Sequence, residues 1–132
     1  MIMSYEEAID IKEGDIVTVA PLSDIIANAK EKGYYIPMNT GEVSRNVDNV
    51  DDIDSIYTPC HFVKGMFNLC GKDFRVAEVK DKGTWVRFLL RNITNANRLS
   101  YSFDNHMLLS NEEEKKRIIS DEDFGTLFGG IE

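Results

Sequence analysis

The amino-acid sequence predicts a mainly β protein, a small β-barrel with short helices and an acidic C-terminal tail. Three observations carry that expectation. Short runs rich in β-branched and aromatic residues recur between turn signals, at Ile16 to Ala20, Phe74 to Val79, Thr84 to Arg91 and Leu99 to Phe103. The last run alternates, with Leu99, Tyr101 and Phe103 on one side and Ser100 and Ser102 on the other, as a strand with one face on a core does. A chain of 132 residues that is 42% hydrophobic has enough apolar surface for one core and too little length for two ordinary domains. One early strand, a long excursion and three short antiparallel strands are too few for two stacked sheets, so a closed or half-closed barrel is the economical way to bury them.

Each element has its own local reason. Ser4 followed three residues later by Glu7 has capping-box spacing, which predicts a short opening helix with Tyr5, Ala8 and Ile9 on its apolar side. Glu13-Gly14-Asp15 is a turn, and the strand that follows ends at Pro21, which has no N–H for a ladder. Ser23 is the expected N-cap of a second helix, with Ile25, Ile26 and Ala29 facing inward and Gly33 as the stop. From residue 34 to residue 59 the periodicity is poor and the acidic content high, notably from Asp48 to Asp54, so this stretch is expected to be an irregular insertion. A helical turn is expected within His61 to Leu69. Asp81-Lys82-Gly83 joins the second and third strands, and the polar loop Asn92 to Asn97 joins the third and fourth. Residues 1–110 form the expected barrel domain; residues 111–132 hold a short helix, capped by Asn111 and running to Ile119, and the acidic tail.

Charge is unevenly distributed. The net charge is −8, but residues 60–110 carry a net +4 between flanks of net −8 (residues 1–59) and −4 (residues 111–132). The total charge therefore does not decide for or against nucleic acid. No basic start leads into a long apolar stretch, and no run of 18 apolar residues occurs, so neither export nor membrane insertion is expected and the cytoplasm is the expected compartment. Cys60 and Cys70 suit a reducing compartment better than a disulfide framework.

Several chemistries lack their signatures. Cys60, His61, Cys70 and His106 do not have the paired spacing of a structural zinc site, and His106 reads as a turn residue near the barrel mouth. Val50 and Ile53 break the oxygen-ligand register of a calcium loop across Asp48 to Asp54. There is no Gly-x-Ser-x-Gly elbow and no phosphate-binding glycine loop. A non-enzymatic protein without a cofactor or metal is the expectation.

The ordered series Gly14, Asp15, Val17 and Val19, then Phe62, Met66, Phe67, Cys70, Gly71, Lys72, Val76 and Val79, then Tyr101, Phe103, Met107 and Leu108 resembles a family of small SH3-like domains. That family recurs in bacteriophage and mobile-element accessory proteins of uncertain role. The resemblance spans roughly residues 12–109 and implies an SH3-like β-barrel and a phage origin, hence a host cytoplasm. It implies no activity. Two departures stand out: the insertion at 34–59 is long, and Tyr101 and Phe103 stand where such domains often have tryptophan.

Two surfaces are candidates for binding. Trp85 alternates with Arg87, Leu89 and Arg91 and so belongs to the more polar side of its strand; with Tyr101 and Phe103 it would form a contact patch at the barrel mouth. In the tail, acidic residues precede Phe124, Leu127 and Phe128, a pattern suited to docking on a host or phage protein or to folding back on the barrel. Leu127-Phe128 also matches the end of sliding-clamp-binding tails, although Phe124 stands where those motifs have glutamine. The alternative is nucleic acid: Lys64, Lys72, Arg75, Lys80, Lys82, Arg87, Arg91 and Arg98 interleave with Phe74, Trp85, Phe88 and Tyr101, with Lys72, Arg75, Arg87 and Arg91 as the candidate contacts, either as a basic binding face or as a solvated surface over an aromatic core. A further alternative uses the acidic flanks as a decoy for the DNA groove of a host defence nuclease.

Overall fold

A computed structural model describes residues 1–38, 43–44 and 53–110, and the fold is mainly β with antiparallel pairing and a few short helices. The element order is α1 (Tyr5–Ala8), β1 (Ile16–Thr18), α2 (Leu22–Lys32), β2 (Ile36–Pro37), β3 (Val43–Ser44), β4 (Ser55–Ile56), β5 (Phe62–Val63), a 3-10 helix (Lys64–Leu69), β6 (Asp73–Asp81), β7 (Val86–Arg91), β8 (Arg98–Asp104) and a 3-10 turn (Asn105–Met107). One four-stranded sheet runs in the order β1-β6-β7-β8; β2 pairs with β3 and β4 with β5 in two small hairpin-like sheets. Among the described residues no helix is long and apolar enough to cross a membrane.

Local chemistry sets the ends of these elements. The Ser4 hydroxyl accepts the Glu7 N–H at 3.2 Å, capping α1 as its spacing predicts. Gly33 closes α2 in the left-handed conformation at φ 77°, where a Cβ would be strained. The N-terminus of α2 differs from expectation. The helix begins at Leu22 with Pro21 as N-cap and no side-chain cap bond, so Ser23 lies inside the first turn. The Pro21 carbonyl accepts the N–H groups of Asp24 at 3.0 Å and Ile25 at 3.2 Å, which closes the first turn without a side-chain cap. Between β6 and β7, Gly83 takes φ 96° and donates its N–H to Asp81 Oδ1 at 2.8 Å, which is the turn read from Asp81-Lys82-Gly83.

Within 34–59, expected to be irregular or partly ordered, the described parts contain short paired segments. Residues 36–37 and 55–56 are strands, Met38 bridges Ile53, and Ile36, Ile53 and Ile56 are fully buried. Ile53 and Ile56 stand singly in a polar stretch and Ile36 is followed by Pro37, which has no ladder N–H, so no strand signal shows, yet each docks on the core. The acidic residues Asp48, Asp51 and Asp52 lie outside the described residues, as does all of 111–132, including the expected helix after Asn111.

The large sheet turns one face inward. Val17, Phe74, Val76, Phe88, Leu90 and Phe103 pack there with Ile25, Ile26 and Ala29 of α2, Phe62, Met66 and Met107. Each fully buried Phe or Leu contributes about 1.5–3 kcal/mol. In β7 the alternation is complete: Val86, Phe88 and Leu90 are buried, while Arg87, Leu89 and Arg91 are partly exposed. Phe103 pairs with Phe88 across β8 and β7 and has no exposed surface, so it is a core residue and does not contribute to a contact patch.

After β8 the chain returns to β1. Val19 bridges Leu108, Leu109 N–H donates to Thr18 O at 2.9 Å and Ala20 N–H to Met107 O at 2.9 Å. The N-terminal residues then flank this returning segment through Ile2 and Leu109. Asn105 pins the corner from inside: its Oδ1 accepts Val86 N–H at 3.0 Å and its Nδ2 donates to Met3 O at 3.1 Å. Because both partners are buried backbone groups, Asn105→Ala is predicted to cost about 2–4 kcal/mol in urea unfolding; an unchanged midpoint would show that the two bonds carry no net stability.

Candidate functional site

An antiparallel sheet with one face on a core presents the other to its surroundings, and here that outer face is basic. The register sets Arg75 opposite Arg91 and Arg91 opposite Arg98, so three arginines form one row across β6, β7 and β8. Ile16, 41% exposed, extends the row onto β1 opposite Arg75. A β-bulge separates this row from Glu78 and Leu89, and beyond them Lys80 lies opposite Arg87. Like charges directly opposite one another destabilise a sheet. Arg75 is steadied by a bond from Nη1 to Gly14 O at 2.6 Å. Among the described residues, no carboxylate is paired with Arg91 or Arg98 at salt-bridge distance. The carboxylates on this face are Asp73, which accepts a bond from Thr18 Oγ1 at 2.6 Å, the exposed Glu78 and the buried Asp104.

Asp104 closes the face at the end of β8. Its side chain is fully buried; Oδ2 accepts Cys60 N–H at 2.8 Å and Oδ1 accepts His106 N–H at 2.8 Å. His106 Nδ1 lies 3.1 Å from the same Oδ1, an arrangement that favours the imidazole proton on Nδ1. The Tyr34 ring meets His106 edge-on at 5.5 Å, and burial, followed by the charge of Asp104, raises the Tyr34 phenol above its usual range. His106 also lines a groove of about 590 Å3 between the N-terminal residues and α2, where Asn28 Oδ1 is buried without a partner. A carboxylate–imidazole pair is a component of acid–base sites, but the nearby thiol is poorly suited to be a nucleophile. Burial first, and then the charge of Asp104, push Cys60 up to about 11, against the smaller opposing effect of Arg87 and Lys82. Cys70 is likewise raised by burial, and both cysteines are free. Among the described residues, no group of three or more His, Cys, Asp or Glu side chains is placed to hold a metal ion.

The residues singled out in the sequence are separated by the fold. Arg75, Arg87 and Arg91 share the outer sheet face, with Lys72 exposed on the turn leading into β6. Trp85 is half-buried just before β7, and its carbonyl accepts Lys82 N–H at 2.9 Å across the turn. Tyr101 is partly exposed, with its hydroxyl over Gly65, where a Cβ would collide with it. Phe103 lies on the core side. Phe124, Leu127 and Phe128 lie outside the described residues. Arg98 and Lys80, also among the basic residues that interleave with aromatics in the sequence, complete the basic face, and the cross-strand register sets which of those side chains share it.

The fold and the face together define a mainly β protein with an antiparallel sheet whose outer side carries arginine and lysine. Comparison with protein-family models, with curated proteins and with solved structures returned no match.

The raised thiol makes a pH-dependent prediction. The folded Cys60 binds its proton more tightly than the unfolded one, so its effect on stability is complete below pH 9.0 and is lost as pH rises toward about 11. Alkylation of Cys60 by iodoacetamide at pH 8 is predicted to run about a hundredfold slower than in the urea-unfolded chain, as followed by peptide mass spectrometry. Equal rates in the two states would contradict the assigned burial of the thiol.

Proposed function

We propose that this chain is a non-enzymatic binding protein whose outer sheet face takes the phosphate backbone of nucleic acid. The observation that carries the reading is the row Arg75–Arg91–Arg98. Three guanidinium groups side by side repel one another in the free protein, and closely spaced phosphates relieve that repulsion while releasing counterions. Lys80 and Arg87 extend the same field. In this reading the acidic flanks, of net −8 and −4, compete with the ligand for the face and restrain non-specific binding.

The architecture in this reading is an SH3-like barrel. It is supported by the return of residues 107–109 to β1, which gives that strand neighbours on both sides. The resemblance to bacteriophage accessory domains fits a small binding module acting in the host cytoplasm, where Cys60 and Cys70 remain thiols.

Fluorescence anisotropy with a labelled single-stranded 15-mer at low salt tests the face. Arg91→Glu with Arg98→Glu is predicted to weaken binding at least about tenfold and to reduce the slope of log K against log salt by about two. The substitutions turn the Arg75–Arg91 opposition into an opposite-charge pair and keep the like-charge opposition of positions 91 and 98 with inverted sign, so the thermal midpoint is expected to hold. Unchanged affinity in the folded double variant would refute the reading.

A protein partner is the second reading, favoured by the partly open Trp85 beside the Asp81–Thr84 turn and by Tyr101. Here Phe124, Leu127 and Phe128 of the tail supply the remaining contacts with a host or phage protein. Ending the chain at Ser110 separates the two: nucleic-acid affinity is predicted to rise if the tail competes for the basic face, whereas capture of a protein from host lysate is predicted to disappear if the tail docks.

A further inference from the structure

Among the described residues, features outside the basic row include the polar groove beside α2, the buried Asp104–His106 pair, the two free thiols, and an exposed aromatic stack in the loop between β4 and β5. The stack is the most informative. Tyr57 and His61 lie face to face with ring centroids 4.4 Å apart and planes 5° from parallel, and both side chains face outward, Tyr57 at 44% exposure. Tyr35, 54% exposed, lies alongside through the bond from Tyr57 N–H to its carbonyl at 2.9 Å.

The loop spends conformational strain to present this stack. His61 has φ 57°, a left-handed backbone that glycine adopts without cost and a β-carbon residue does not. The conformation is held by His61 N–H to Thr58 O at 2.9 Å and by Cys60 N–H to Asp104 Oδ2 at 2.8 Å. Strained non-glycine positions concentrate at sites of function. The second bond also sets the location. Asp104 lies opposite Arg87 in the sheet, so the loop stands at the Arg87 end of the basic face. Cys60, next to His61, feels the charges of both Arg87 and Lys82.

We infer that the Tyr57–His61 stack is a platform for an unpaired nucleobase, so that the nucleic acid held by the basic face is single-stranded. The inference rests on the nucleic-acid reading of that face and adds the substrate class. Rigid aromatic surfaces beside a positive track suit single strands, because every base has a π-face and a strand's phosphates lie within reach of the same surface. In a duplex the bases are already stacked and their faces closed. The charge of the neighbouring Arg87 and Lys82 selects the polyanion over an apolar peptide.

The full-length protein is tested at low salt against three probes: a single-stranded oligothymidylate 15-mer, an abasic strand of equal length and charge, and a 15-base-pair duplex. The oligothymidylate is predicted to bind at least about fivefold more tightly than the abasic strand. Tyr57→Ala and His61→Gly are each predicted to remove that advantage while leaving abasic-strand binding unchanged. His61→Gly guards against misfolding, since glycine relaxes the left-handed φ and the thermal midpoint should hold or rise. Equal binding of oligothymidylate and abasic strand by the wild-type protein, both weakened by Arg91→Glu, would overturn the platform and leave the basic face standing. Tighter binding of the duplex than of either strand would overturn the single-strand assignment. Absence of binding to all three probes would overturn the basic-face reading and the platform with it.

Discussion

The carboxylate of Asp104 ties the end of β8 and the turn that follows it to the distant β4–β5 loop. It ends β8, receives the backbone of the β4–β5 loop through Cys60, and caps the 3-10 turn through His106. A fully buried carboxylate is costly to remove from water and persists only where donors surround it. Here two backbone N–H groups and an imidazole supply them, and the requirement for all three fixes the loop and the turn relative to the sheet. Neighbouring groups respond to the same charge: Tyr34 and Cys60 are both raised, by burial first and by Asp104 next.

That anchoring has consequences for the surface. The outer sheet face owes its basic character to register, since Arg75, Arg91 and Arg98 come from three strands and meet only when those strands pair as they do. The β-bulge after Val76 and the irregularity after Leu89 adjust the register so that the arginine row and the Lys80–Arg87 pair lie on the same side of the sheet. The Asp104–Cys60 bond then brings the Tyr57–His61 stack to one end of this face. A basic track and an aromatic platform are thus placed together by one buried acceptor and one pattern of strand pairing.

Much of the scaffold was legible in the residues. Strands β6, β7 and β8 fall where alternation and turn residues place them, because a strand on a core repeats every two residues and glycine marks the tight turns. The Ser4 cap and the Gly33 stop follow from local backbone chemistry in the same way. The contribution of residues 34–38 and 53–59 was not legible: Ile53 and Ile56 are single apolar residues in a polar stretch and carry no period, and Pro37 beside Ile36 argues against a strand. Phe103 illustrates a different limit. Its parity was correct, but parity does not say which side of a strand faces the core, and a contact role was assigned to a side chain that the fold buries beside Phe88.

The sequence by itself determined a mainly β chain with short helices, a positive middle between negative flanks, and free thiols in place of a disulfide framework, since each depends on composition or on spacing within a few residues. Only the tertiary structure decided which of the basic residues form a surface and which aromatic side chains remain outside. Those outcomes depend on contacts between positions 44 residues apart, as in Cys60 and Asp104, or on cross-strand registers, as in Arg75, Arg91 and Arg98. Such contacts arise from the simultaneous packing of one core, a property of the whole chain that no local window contains.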